Sequence, residues 1–184
     1  FIGRVGAGLE NIDCNYATKK EVHLISAPEG NRNAVGEHAI GLLLGLMNKL
    51  RLGHHSIQQG KWLREVHRGF ELENKKVGII GYGNTGGAFA KKLAGFNTEV
   101  LAYDKYKVNY TDEFVTESTM GEIYKKADIV SLHIPYTSET HYLVNNNFIH
   151  NFEKKIFIIN TSRGKILNTA DLVENLNTGK VRGA

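Results

Sequence analysis

The stretch Lys76-Val77-Gly78-Ile79-Ile80-Gly81-Tyr82-Gly83-Asn84-Thr85-Gly86 decides the fold of this 184-residue chain. Its apolar residues 77–80 predict a buried strand, the three glycines follow the pattern G-x-G-x-x-G, and a helix is predicted at once over 85–94. In that context the first glycine permits a tight turn, the second lets the backbone approach a pyrophosphate, and the third lets helix and strand pack closely. A pyrophosphate is then expected on the backbone N–H groups near Asn84 and Thr85.

Strands and helices alternate downstream of this stretch. Further strands are predicted at 99–103, 128–133 and 155–160 with a last one starting at 181, and further helices at 120–126, 146–152 and 169–177. The intervening residues 105–117 are polar and irregular in pattern. Such alternation is typical of an α/β protein with a doubly wound parallel sheet of the Rossmann type.

A long helix is predicted upstream, over residues 34–59, after a short helix at 11–20 and a strand at 22–26. Its middle, 39–47, is apolar nearly all round, so we expect it to be buried on several sides. Gly41 and Gly45 lie four residues apart on one face, which favours close packing of another helix, across a subunit interface in a soluble protein.

Composition excludes several classes of function. The net charge is +4 and the lysines are scattered in pairs, which argues against nucleic-acid binding. The longest apolar run, residues 39–47, is far too short for a membrane span. Cys14 is the only cysteine, which rules out an intrachain disulfide and fits a reducing, cytoplasmic location; we expect it to be a small packed residue. Neither H-x-x-x-H nor C-x-x-C occurs, so no metal site is predicted.

Asp104 closes the second strand of the alternating region, 23 residues after Gly81. At that position a carboxylate accepts hydrogen bonds from the adenosine ribose hydroxyls and repels the 2′-phosphate of NADP, which favours NAD as the cofactor. A simple turn aspartate is the alternative. The adjoining Lys105 leaves the exclusion of NADP open.

Two further strands end in distinctive residues, His133-Ile134-Pro135 and Thr161-Ser162-Arg163-Gly164. Ligands of open α/β sheets bind at the carboxyl ends of the strands, so these residues are predicted to line one crevice with Gly81 and Asp104. Arg163, at a strand end and followed by glycine, is interpreted as a fixed cation that faces an anionic substrate.

Several ordered motifs together resemble one known family, the D-isomer-specific 2-hydroxyacid dehydrogenases. They are Gly3-Arg4-Val5-Gly6-Ala7-Gly8-Leu9-Glu10-Asn11-Ile12-Asp13, Asn31-Arg32-Asn33-Ala34-Val35-Gly36-Glu37-His38, Gly81 to Gly86, His133-Ile134-Pro135 with Thr140, and Asn160-Thr161-Ser162-Arg163-Gly164. The resemblance implies that residues 1–33 are a remnant of a flavodoxin-like substrate domain with its hinge. It implies that residues 34–184 are an NAD-binding Rossmann domain, incomplete at its C-terminus.

The resemblance also implies a role for each motif in oxidising or reducing a small anionic 2-hydroxy or 2-oxo acid. Arg163 is the expected catalytic residue, which grips the substrate carboxylate and polarises the C2 oxygen. The expected substrate-binding residues are Arg4, Val5, Gly6, Ala7, Gly8 and Asn31. The expected cofactor-binding residues are Gly81, Tyr82, Gly83, Asn84, Thr85, Gly86, Asp104, His133, Ile134, Pro135, Thr140, Asn160, Thr161, Ser162 and Arg163. The helix at 34–59 is expected to form a homodimer interface.

The family's catalytic histidine, with the glutamate that tunes it, lies downstream of the arginine, past the point where this sequence stops at Arg182-Gly183-Ala184. The 184 residues are therefore predicted to bind NAD(H) without turning over substrate. Glu10 stands where the family usually has aspartate. A different class remains open as an alternative, namely an NAD-sensing interaction protein built on the same fold.

Overall fold

A computed structural model describes the whole chain, Phe1–Ala184. Its strands are β1 Ile2–Arg4, β2 Leu24–Ser26, β3 Lys76–Ile80, β4 Glu99–Tyr103, β5 Thr116–Glu117, β6 Ile129–Leu132, β7 Ile156–Asn160 and β8 Val181–Gly183. Its α-helices are α1 Cys14–Lys19, α2 Arg32–Met47, α3 Leu50–Gln58, α4 Asn84–Leu93, α5 Met120–Lys126, α6 Asn146–His150 and α7 Thr169–Asn177. Short 3₁₀ turns cover Ala94–Phe96 and Gly164–Ile166.

Two sheets are present. The larger has six strands in the order β5-β4-β3-β6-β7-β8, every neighbouring pair is parallel, and helices flank it. This confirms the predicted doubly wound Rossmann sheet. Near the N-terminus β1 and β2 form a separate parallel pair, connected through α1. No helix in the structure is long and apolar enough to cross a lipid bilayer.

The core lies on both faces of the six-stranded sheet. β6 is buried along its whole length and β7 along all but its last residue, so their sequences are nearly continuous apolar runs, as expected for strands covered on two sides. Leu43 of α2 and Phe89 of α4 belong to the apolar cluster on one face. Ile123 of α5 and Phe148 of α6 belong to the cluster on the other. Because every neighbouring pair of these strands is parallel, their carboxyl ends lie at one edge of the sheet.

The prediction of one helix over 34–59 was wrong, because the chain breaks between α2 and α3. Lys49 adopts the left-handed conformation, with φ 52° and ψ 35°. A returning segment occupies the break: the backbone N–H of Phe70 donates to the carbonyl of Met47 at 3.0 Å, and Lys49 Nζ donates to the carbonyl of Val66 at 2.9 Å. The break thus depends on residues about twenty positions away in the chain.

The expectation that α2 is buried on several sides was also wrong within this chain. Only Gly36, Ala39, Leu43 and Met47 are buried on it, which is one face. The tight helix crossing uses Gly36, where a Cβ would lie 3.0 Å from the backbone of Ala88 on α4, whereas no atom lies within 4 Å of a Cβ built at Gly41 or Gly45.

Three smaller expectations differ from the structure. α1 covers only Cys14–Lys19 because Asp13 caps it, accepting a hydrogen bond from the backbone N–H of Tyr16 at 2.8 Å. Cys14 is exposed rather than packed. The region 105–117, interpreted as irregular, ends in β5, which extends the sheet beyond β4.

Candidate functional site

Two adjoining cavities lie at the carboxyl ends of the strands of the large sheet. The first has a volume of about 490 Å³ and its walls include Gly81 and Gly83, Asp104, and Thr140. The second, of about 360 Å³, is bounded by the predicted substrate loop, the start of α4 and the end of β7. The residues that line both are His133, Ile134 and Pro135. The predicted crevice therefore exists as two joined compartments.

The turn after β3 requires glycine at two of its positions. Gly81 has φ +93°, and a Cβ there would lie 2.5 Å from the carbonyl oxygen of His133. A Cβ at Gly86 would overlap the carbonyl oxygen of Gly81. Gly83 lines the first cavity, and no atom lies within 4 Å of a Cβ built on it. It is the N-cap residue of α4, and no side chain caps this helix. The first N–H groups of a helix have no partners within it, and Asn84 and Thr85 at the start of α4 line the second cavity, so a pyrophosphate bound there can accept from them.

Asp104 is held rigidly beside this turn. Its carboxylate accepts hydrogen bonds from the backbone N–H groups of Tyr82 and Tyr106, both at 2.9 Å. Asp104 also lines the first cavity. A carboxylate offers about four lone-pair sites, so two such bonds leave acceptor capacity for ribose hydroxyls.

Tyr82 takes part through its backbone rather than its side chain, which lines neither cavity. The phenol is buried and donates to Asp112 at 2.7 Å, and its ring stacks on Tyr110 with centroids 5.5 Å apart. Burial, reinforced by the bond to Asp112, raises the pKa of Tyr82. The sequence did not point to Asp112 or Tyr110, because a polar, irregular stretch carries no periodic signal.

His133 is buried at the junction of the two cavities. Its Nε2 lies 2.8 Å from Ser131 Oγ, its ring packs on Phe89, and burial lowers its pKa to about 4, so the imidazole is neutral at pH 7. His133 Nδ1 and the buried Thr161 Oγ1 have no hydrogen-bond partner in the protein. Buried polar atoms are nearly always paired, so these two atoms fit a bound ligand that carries its own hydrogen-bonding groups, such as a nicotinamide nucleotide.

The second cavity brings together residues from both ends of the chain. Arg163 lines it with the substrate-loop residues Arg4, Val5, Gly6, Ala7 and Gly8, with Asn31, and with Asn84, Thr85, Thr161 and Ser162. The guanidinium of Arg163 is engaged by Glu10, whose carboxylate lies 2.7 Å from both Nε and Nη2. A backbone hydrogen bond, together with the charge of Arg163, holds the pKa of Glu10 below its ordinary value. The sequence marked Glu10 only as a departure from the aspartate that is usual in the family, and it did not predict this contact.

Besides Tyr82, two predicted cofactor-binding residues, Gly86 and Asn160, line neither cavity. Gly86 packs α4 onto the turn. Asn160 organises the turn after β7: its Nδ2 donates to the carbonyl of Arg163 and its Oδ1 accepts from the N–H of Ser162, both at 3.0 Å. Asn160 therefore supports Arg163. It also lines a neighbouring cavity with Asn31, Thr161 and Ser162, and its direct contact with the cofactor stays a prediction.

Comparisons with known proteins agree with this geometry. The family described as "D-isomer specific 2-hydroxyacid dehydrogenase, NAD binding domain" matches residues 40–184. A hydroxypyruvate reductase of Thermotoga maritima is 34% identical over 100% of this chain and 60% of its own length. A D-3-phosphoglycerate dehydrogenase of Archaeoglobus fulgidus is 34% identical over 100% of this chain and 35% of its own length.

Among solved structures, a D-lactate dehydrogenase of Aquifex aeolicus complexed with NAD and lactic acid is similar, with a TM-score of 0.87 and 30% identity over 96% of this chain and 54% of that one. The chain thus spans between about a third and three fifths of the length of these relatives. Members of the family are NAD-dependent D-2-hydroxyacid dehydrogenases, and NAD is the cofactor that this domain of the family binds. The chain belongs to the D-isomer-specific 2-hydroxyacid dehydrogenase family, and residues 40–184 form its NAD-binding domain.

Proposed function

We propose that the two cavities divide the work of a D-2-hydroxyacid dehydrogenase between cofactor and substrate. The first cavity takes the adenosine of NAD, whose ribose hydroxyls bond to Asp104. The pyrophosphate bonds to the start of α4, where the two cavities meet. The nicotinamide supplies the hydride acceptor or donor when bound. The second cavity takes the 2-hydroxy or 2-oxo acid, with Arg163 on its carboxylate and the backbone of residues 5–8 around it. This assignment treats residues 1–33 as part of the substrate domain.

We infer D-3-phosphoglycerate as the substrate, which corresponds to the entry step of serine biosynthesis. The observation that carries this choice is the presence of two guanidinium groups, Arg4 and Arg163, in one small cavity. Two cations suit a ligand with a carboxylate and a phosphate, because guanidinium forms bidentate bonds with both groups. Several relatives that match the whole chain at 30–35% identity carry that enzyme's name.

Calorimetric titration of the NADH-loaded chain tests the choice, because binding does not require the complete catalytic apparatus. 3-Phosphoglycerate is expected to bind more tightly than D-lactate, glyoxylate or hydroxypyruvate. Replacing Arg4 with Gln is expected to weaken the binding of 3-phosphoglycerate much more than the binding of D-lactate. Tighter binding of an unphosphorylated acid by the unaltered chain excludes the phosphoglycerate assignment.

A second candidate is a reductase or dehydrogenase for a singly charged acid: hydroxypyruvate, glyoxylate or D-lactate. The ion pair between Glu10 and Arg163 favours it, since it neutralises one of the two guanidinium groups of the cavity. The same titration separates the two candidates. An NAD-sensing interaction protein remains the alternative of a different class, and partner capture with and without NADH distinguishes it.

We propose that α2 and α3 form a homodimer interface. Leu42, Leu50, Leu52 and Ile57 are large apolar side chains that are 43–62% exposed there, and Gly41 and Gly45 line an open cavity of about 780 Å³ beside them. Sedimentation is expected to give a dimer, and Leu52→Glu is expected to give a folded monomer. A monomeric unaltered chain contradicts this interface. The cytoplasmic location stays a prediction.

A further inference from the structure

An ion pair spans the mouth of the first cavity. Lys105 Nζ lies 2.5 Å from a carboxylate oxygen of Glu139, and both residues line the cavity together with Asp104. Lys105 follows β4, and Glu139 lies in the loop that follows β6. Because β4 and β6 are the two neighbours of β3, the pair joins loops on either side of the glycine turn that follows β3.

Both partners are carried by ordered turns. Lys105 sits within a turn closed by the bond from the N–H of Tyr106 to the Asp104 carboxylate, at 2.9 Å. Glu139 sits in the Thr137–Thr140 turn, where the hydroxyl of Thr140 accepts from the N–H of Thr137 at 2.7 Å and donates to the carbonyl of Pro135 at 2.8 Å. The pairing therefore joins two short, internally bonded turns.

The sequence leaves the choice between NAD and NADP undecided because Lys105 adjoins Asp104, the carboxylate proposed to bind the ribose. A free ammonium at that position would attract the 2′-phosphate of NADP. In the structure neither neighbouring ammonium is free. Lys105 is paired with Glu139, and Lys107 donates to the carbonyl of Tyr82 at 2.7 Å. The charge that remains without an ion-pair partner at this wall is the carboxylate of Asp104.

We propose that Glu139 is a selectivity residue for the cofactor. It withholds Lys105 from the 2′-phosphate of NADP, so that the carboxylate of Asp104 is left as the uncompensated charge at this wall. Selection against NADP then depends on two carboxylates, one at the end of β4 and one in the loop after β6. NADH carries no phosphate at this position, so its binding is nearly independent of the pair.

The test is fluorescence titration of the 184-residue chain with NADH and with NADPH at low ionic strength. Glu139→Gln is expected to tighten NADPH by about threefold to tenfold, the scale of one exposed charge interaction, and to leave NADH within about twofold. In the double variant Lys105→Gln with Glu139→Gln, the affinity for NADPH is expected to return to that of the unaltered chain. High salt is expected to reduce the gain for NADPH in Glu139→Gln, because the interaction is exposed to solvent.

Glu65→Gln is the matched control, because Glu65 forms an exposed ion pair with Arg68 that belongs to neither cavity. Its ratio of NADPH to NADH affinity is expected to equal that of the unaltered chain. An equal loss of NADH and NADPH affinity in Glu139→Gln would show that the pair only holds the loops together and would overturn the proposal. A gain for NADPH that persists without Lys105 would overturn the assigned role of that lysine.

Discussion

The turn that binds the pyrophosphate is tested most directly by Gly86→Ala. A methyl group at this position overlaps the carbonyl oxygen of Gly81, which is backbone and cannot rotate away. The first turn of α4 must therefore shift relative to β3. Overpacking of this kind costs about 1–3 kcal/mol, and alanine regains up to about 1 kcal/mol of helix propensity over glycine.

Gly87→Ala is the matched control in the next position of α4. A Cβ there meets only the ring of Tyr82, at 3.9 Å, which is ordinary contact. Both variants gain a similar helix propensity, so the difference between their free energies of unfolding isolates the clash at Gly86, about 1–3 kcal/mol. Urea denaturation measures this difference.

NADH titration of the same two proteins gives a second readout. Gly86→Ala is expected to weaken the binding of NADH about tenfold or more. The shift of the first turn of α4 misplaces the N–H groups that bond to the charged pyrophosphate. Gly87→Ala is expected to leave the affinity nearly unchanged. If Gly86→Ala were as stable as Gly87→Ala and bound NADH equally well, the role given to the third glycine would be refuted.

Three further predictions concern charged and titratable groups. Glu10→Gln is expected to tighten oxalate binding to the NADH-loaded chain by about twofold to fivefold in calorimetry, because a competing carboxylate leaves Arg163; an unchanged affinity contradicts competition. Asp104→Asn is expected to weaken NADH by about tenfold, since one charged hydrogen-bond acceptor is lost; equal affinities exclude the ribose role. Burial lowers the pKa of His133 to about 4, below the value of about 6.5 in the unfolded chain, so its destabilising effect is absent above pH 6.5 and grows as the pH falls toward 4, reaching about 3 kcal/mol. Urea denaturation from pH 7 to pH 4.5 is expected to show a smaller loss in His133→Gln, and identical losses would show that His133 is not buried in its neutral form.

Local patterns in the sequence predicted the sheet and most of the cofactor wall. Val77–Ile80 had to be a buried strand because four apolar residues precede a glycine turn, and Gly81 and Gly86 had to be glycine because of the turn and the helix packing. Asp104, His133 and Arg163 were predicted to meet, since parallel strands present their carboxyl ends at one edge. The two cavities contain all three.

The helices upstream of the sheet were harder to predict for a physical reason. The sequence 34–59 is a continuous helix by local propensity, yet it is interrupted at Lys49. The N–H of Phe70 takes the carbonyl of Met47, and the side chain of Lys49 bonds to the carbonyl of Val66. The apolar character of residues 39–47 likewise did not reveal which face is covered. Only packing against α4 distinguishes the buried Gly36 from the open Gly41.

Side-chain pairing within the site was decided by the tertiary structure alone. The chain order shows that Asp104 is followed by Lys105, but not that Glu139 neutralises that lysine from 34 residues away. It shows that Arg163 lies at a strand end, but not that Glu10, 153 residues distant, occupies its guanidinium. Strands and glycine turns follow from interactions among near neighbours in the chain, which a sequence displays directly. Charge pairs across a cleft follow from how separate loops are brought together, and therefore only the folded chain reveals them.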